Sequence, residues 1–228
     1  MDLTALLRMI QITDSLFPIG TYTLSNGLET FVAEGYIKTE QELSMYVKSY
    51  MELLAYGDVG VMMLSYSHAD NPEYLTRLDS YANAMKAPME VRQGSRKLCR
   101  RFLKLIDQVG EEVTNGFGWY KEAVFSQQLY GNYAQAVGLY SKWQQIPVTE
   151  AAGIYAFSLL SSVVTNAVKL VPLSQMSGQR ILFQSDPWIR ACVELAGSIT
   201  MEDLGVSGVQ FDVEAMRHEH LYTRLYIS

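Results

Sequence analysis

The stretch from Ala151 to Leu170 constrains this chain more than any other feature. It is long enough to cross a bilayer as a helix. Ser158, Ser161, Ser162, Thr165 and Asn166 interrupt it, and Glu150 and Lys169 flank it. Such a segment reads as the buried central helix of a folded domain, not as a membrane span. The rest of the chain agrees. Apolar residues make up 49% of 228 residues and charged residues 18%, enough to bury a real core and too apolar for disorder. Met1-Asp2-Leu3-Thr4 lacks a basic segment and a small-residue cleavage site, so no signal peptide is expected. Cys99 and Cys192 are far apart and form no CxxC pair, which points to a reducing compartment, the cytoplasm.

Helical signals run throughout. Thr39 and Glu42 form a capping-box pair. Leu43, Tyr46, Val47, Tyr50, Met51 and Leu54 then recur at helical spacing. Asn71-Pro72 opens another helix with the stripe Leu75, Leu78, Tyr81, Ala82 and Met85. Pro88 precedes a third, carrying Val91, Leu98, Phe102, Leu105 and Ile106. Further helices are expected over 119–129, 132–143, 173–183 and 187–197, with Thr149 as N-cap of the long apolar one and Pro172 as its stop. Strand alternation is scarce. The expectation is one all-α domain over 1–228, with roughly nine or ten helices and a C-terminal tail, 205–228, that is mobile when alone.

Catalytic signatures are missing. The sequence has no GxxxxGK[ST] loop, no GxGxxG after a strand, no HExxH and no GxSxG. With three histidines, few His-based sites can be built. The one ligand-like cluster is His218-Glu219-His220; imidazole suits nickel, but residues two apart on a helix point in different directions. It reads first as a solvated polar run, and no metal ligand is assigned. Arg92, Arg96, Lys97, Arg100, Arg101 and Lys104 make one helix locally basic. That is a solvated face or a dock for an acidic partner. A formal net charge of −6 and the lack of interleaved aromatics argue against nucleic acid.

Three stretches carry a resemblance. Asp14-Ser15-Leu16-Phe17-Pro18-Ile19-Gly20, followed by Ser25-Asn26-Gly27-Leu28-Glu29, is similar to a D-S-x-F-P-x-G … S-x-G-L-E pattern. Ala167-Val168-Lys169-Leu170-Val171-Pro172-Leu173-Ser174-Gln175, then Gly178-Gln179-Arg180, is similar to A-V-K-L-x-P-L-x-Q-x-x-G-Q-R. Met216-Arg217-His218-Glu219 with Leu221-Tyr222-Thr223-Arg224-Leu225-Tyr226 is similar to M-R-H-E-x-L-Y-x-R-L-F, with Tyr226 as the last aromatic. Gln93-Gly94-Ser95-Arg96-Lys97-Leu98 adds a weaker Q-G-x-R-x-L match. Together they resemble the UreF family of urease accessory proteins.

The resemblance implies an all-α, non-catalytic and dimeric scaffold. Its implied partners are UreD (also called UreH), the GTPase UreG and apo-urease, with nickel handled by the complex and no cofactor of its own. It implies that the tail, including Met216, Arg217, His218, Glu219, Leu221, Tyr222, Arg224, Leu225 and Tyr226, binds UreD and orders on doing so. It also implies that Glu29, Lys169, Gln175, Gln179 and Arg180 serve the UreG-facing side or a water-filled route for nickel, with Arg180 a candidate arginine finger. Two readings from other classes stand beside it: an all-helical enzyme with a small-molecule pocket built from the Tyr and Met stripes, and a DNA-binding helical protein disfavoured by charge.

Overall fold

The computed structural model describes residues 2–21, 24–109, 115–206, 208–222 and 224–226, apart from the side chain of Asn115. Among them are twelve α-helices and no strand: α1 (Leu3–Thr13), α2 (Leu28–Ala33), α3 (Glu40–Ala55), α4 (Asp58–Ser67), α5 (Pro72–Ala84), α6 (Met89–Gln108), α7 (Asn115–Phe125), α8 (Tyr133–Trp143), α9 (Val148–Leu170), α10 (Gln175–Gln184), α11 (Asp186–Ala196) and α12 (Val209–His218). The protein is all-α. The two helices beyond the expected nine or ten are α4, split from α3 at Gly57, and α12 in the tail.

Local chemistry sets the boundaries. Thr39 and Glu42 close the capping box on α3, and Asn71 accepts from the Tyr74 amide ahead of Pro72 in α5. Thr149 is not a cap: α9 already starts at Val148 behind Pro147, whose lack of an N–H suits a helix entrance.

Two helices are enclosed rather than amphipathic. In α4 every residue from Val59 to Ser65 is buried, and in α8 every residue from Tyr133 to Ser141. Such helices form the centre of a layered bundle, because only a helix surrounded by others can be apolar on all sides. They approach closely at Gly138, where a Cβ would lie 2.2 Å from the Met62 carbonyl oxygen. Around this pair pack α3, α6, α7, α9 and α11. In α9 half of the most apolar window is buried, so the one described helix long and apolar enough to cross a membrane runs along the core.

Half of the basic cluster on α6 holds the fold. Arg92 donates to the carbonyls of Lys86 and Ala87, Arg96 to Asn83 Oδ1, and Arg101 to the Ile19 carbonyl. Arg96 also sits over the Tyr130 ring, 4.6 Å from its centroid. Lys97, Arg100 and Lys104 are left on the exposed face.

Candidate partner-binding site

The tail is docked, not loose. Phe211, on α12, lies against Phe31 (5.3 Å between centroids), Tyr46 (5.0 Å) and Tyr50 (6.2 Å). Its spacing to Ala215 and His218 gives α12 one face toward α2 and α6. The other side of that contact depends on Gly27, the residue before α2. Its φ is 86°, and a Cβ there would meet the Ala215 nitrogen at 2.9 Å. Only glycine gives both the left-handed turn and the close approach.

That approach brings Glu29, in the first turn of α2, to His218, at the end of α12. Glu29 Oε2 lies 3.0 Å from His218 Nε2, and Glu90 Oε2, from the first turn of α6, lies 2.7 Å from Nδ1. The His218 side chain is wholly enclosed and that of Glu29 nearly so. With a carboxylate on each ring nitrogen, both bonds form when both nitrogens carry hydrogen. Neither ring lone pair is then free for a metal. Among the described residues no group of three or more His, Cys, Asp or Glu is arranged to hold a metal ion. The solvated reading of the His218-Glu219-His220 run therefore fails at His218, which is the buried hub of the tail; Glu219 is half-buried and His220 exposed.

The hub continues into the tail. Arg224 donates to Glu90 Oε1 at 2.7 Å. The backbone N–H of Leu225 donates to Glu29 Oε1 at 2.7 Å, and that of Tyr226 to Oε2 at 3.2 Å. Arg217 bridges Glu34 and Glu214 at 3.2 Å. While the backbone is held, Tyr222 is fully exposed, Leu225 is 74% exposed and Met216 is 41% exposed. Leu221 is half-buried. The expected mobility of the free tail is thus replaced, over its described residues, by an anchored segment that projects large apolar side chains.

The second group of sequence-selected residues lies elsewhere. Lys169 is in the last turn of α9, and Gln175, Gln179 and Arg180 are on α10; all four are exposed. Arg180 is held by Glu40 of α3 in a two-pronged pair, Nε to Oε1 at 3.0 Å and Nη2 to Oε2 at 2.6 Å. The Arg180 hydrogen bond holds the Glu40 carboxyl down at about 2. Glu29 does not join this group, because its carboxylate is engaged in the tail hub. Glu90 and Phe211 complete the hub and carry no local sequence signal for it; Glu90 is 128 residues from its histidine.

A cavity of about 180 Å³ opens between α3, α8, α9 and the tail, with Tyr50, Tyr133 and Tyr155 around the Asp58–Lys86 ion pair (2.7 Å). Burial pushes all three phenols up, so they remain protonated.

The comparisons concur with this architecture. The family described as UreF matches residues 37–186. A urease accessory protein UreF from Haemophilus influenzae (strain PittEE) is 35% identical over 232 residues, covering 100% of this chain and 96% of its own. One from Actinobacillus pleuropneumoniae serotype 3 is 33% identical, covering 96% and 97%. One from Lachnoclostridium phytofermentans is 32% identical, covering 97% and 98%. These are names of accessory factors, not of catalysts, and they turn aside both the pocket-enzyme and the DNA-binding readings. With full-length similarity and the family match over most of the helical core, the chain belongs to the UreF family of urease accessory proteins.

Proposed function

We propose that this protein is a non-catalytic subunit of the machinery that inserts nickel into apo-urease, in the cytoplasm. It joins UreD (UreH) to the GTPase UreG and acts as a homodimer. The observation that carries the reading is the tail: Glu29 and Glu90 fix its backbone, while Met216, Tyr222 and Leu225 face outward. Exposed aromatic and aliphatic side chains on a pre-ordered segment are good interface anchors, because little ordering entropy is left to lose. UreD takes this surface. Lys169, Gln175, Gln179 and Arg180 form a polar surface for UreG. Arg180 is committed to Glu40, which favours a role in positioning the GTPase over insertion into its nucleotide site.

Size-exclusion chromatography with light scattering tests this, using the full chain with UreD and then with UreG and a GTP analogue. Tyr222→Asp combined with Leu225→Asp leaves the anchored backbone intact and should abolish the UreD complex. A folded wild-type chain that binds neither partner would sink the proposal.

A further inference from the structure

Gly153 has no structural reason inside the chain. Gly60, Gly94, Gly116, Gly138 and Gly178 each sit where a Cβ would press on a neighbour within 3.3 Å, so each allows a close helix approach. Gly153 is also inside a helix, yet a Cβ there would meet nothing within 4 Å. Glycine weakens a helix interior relative to alanine. Its smallness is used by something outside the chain.

What lies beside it is a groove of about 830 Å³ between α1, α9 and α11. Its floor is apolar, with Ile10, Ile154, Phe157 and Ile189. Ile10 extends that floor along α1, where Leu3 (66%), Leu7 (57%) and Ile10 (47%) form an exposed stripe at helical spacing. The rim is acidic: Asp14, Glu150, Asp186 and Glu194 against one cation, Arg190, which is paired with Asp186.

We propose that this groove docks an amphipathic helix of another protein, with an apolar face flanked by Lys and Arg. The apolar floor takes the helix side chains, and Gly153 lets the backbone approach as Gly138 does for α4. The rim selects the charge. A second copy of this chain would bring two acidic rims together, and like-charge juxtaposition rejects that partner. The inference is independent of the tail reading, because none of the tail residues lines the groove.

The probe is a fluorescein-labelled synthetic helix with a leucine face flanked by lysines, followed by anisotropy against the full-length protein. A matched peptide with glutamate flanks is the control. The lysine peptide should bind, more weakly as salt rises, and the glutamate peptide should not. Gly153→Trp fills the open space without changing net charge and should weaken binding by about tenfold or more. Glu150→Lys with Glu194→Lys, both at exposed positions, should do the same and covers the case in which the tryptophan disturbs α9. Unchanged affinity in both variants would mean that the peptide only coats an acidic surface, and overturns the proposal. Equal binding of the glutamate peptide overturns it too. Loss of self-association in the variants, read by light scattering, would assign the groove to a second copy instead.

Discussion

Replacing Glu29 by alanine removes three acceptor contacts at once, and the consequences are unequal. His218 has no solvent access, so its Nε2 hydrogen loses its partner with no water to replace it. Removing one member of a buried ion pair costs about 3–5 kcal/mol. The Leu225 and Tyr226 amides lie near solvent and contribute less. Glu29→Ala should therefore lose about 3–5 kcal/mol, a large part of the ~5–15 kcal/mol available to a domain. At a slope of about 3 kcal/mol/M in urea, the unfolding midpoint should fall by about 1–2 M. Hydrogen exchange should show the Leu225 and Tyr226 amides losing protection under native conditions, before global unfolding. Glu90→Ala should cost less, because the Glu90 side chain is 17% exposed and water can reach the vacated site. A Glu29→Ala loss below about 1 kcal/mol, the range of a solvated surface pair, with the tail amides still protected, would refute the claim that this carboxylate anchors the tail.

Glycine substitutions on α8 and α9 should act in opposite directions. Gly138→Ala drives a methyl into the Met62 carbonyl and should cost about 1–3 kcal/mol or more, whereas Gly153→Ala meets open space and should gain up to about 1 kcal/mol by thermal unfolding. Glu40 is depressed from an ordinary 4.5 to about 2 by Arg180, so the pair's stabilisation is complete above 4.5 and is lost as pH falls toward 2. In Arg180→Ala the Glu40 carboxyl should titrate back toward 4.5 by carbon NMR. Burial pushes the Cys192 thiol up to about 12 and the Cys99 thiol higher still. Both should react with a disulfide reagent only on unfolding, and a fast native reaction at either would contradict the burial.

Amphipathic helices were the legible part of the fold. The capping box at Thr39, the Asn71-Pro72 start and the stripes on α3, α5 and α6 announce themselves because one face is wet. Helix α4 does not: Val59 to Ser65 is buried on all sides, so no polar face marks its period. The site divides the same way. The motifs containing Glu29, His218 and Arg224 stand out in the sequence, but their meeting does not. It requires Gly27 against Ala215 and a Glu90 contributed by another helix, and neither contact leaves a local pattern. His218 looked solvated because its neighbours Glu219 and His220 are polar; the α12 face that buries it is defined by Phe211 and Ala215.

The Glu29–His218 contact also sets an order of events during synthesis. The two residues are 189 apart, so Glu29 leaves the ribosome long before the imidazole that will enclose it exists. Until then α2 presents a carboxylate with no reason to be buried, and water is its best partner. The turn at Gly27 has no α12 to pack on, and closing so long a loop is slow compared with local helix formation. A nascent chain can build α3 to α9 early, yet the surface that displays Tyr222 and Leu225 appears only when the hub closes. Partner recruitment through that surface would thus report that translation has passed the tail, keeping unfinished chains out of the assembly.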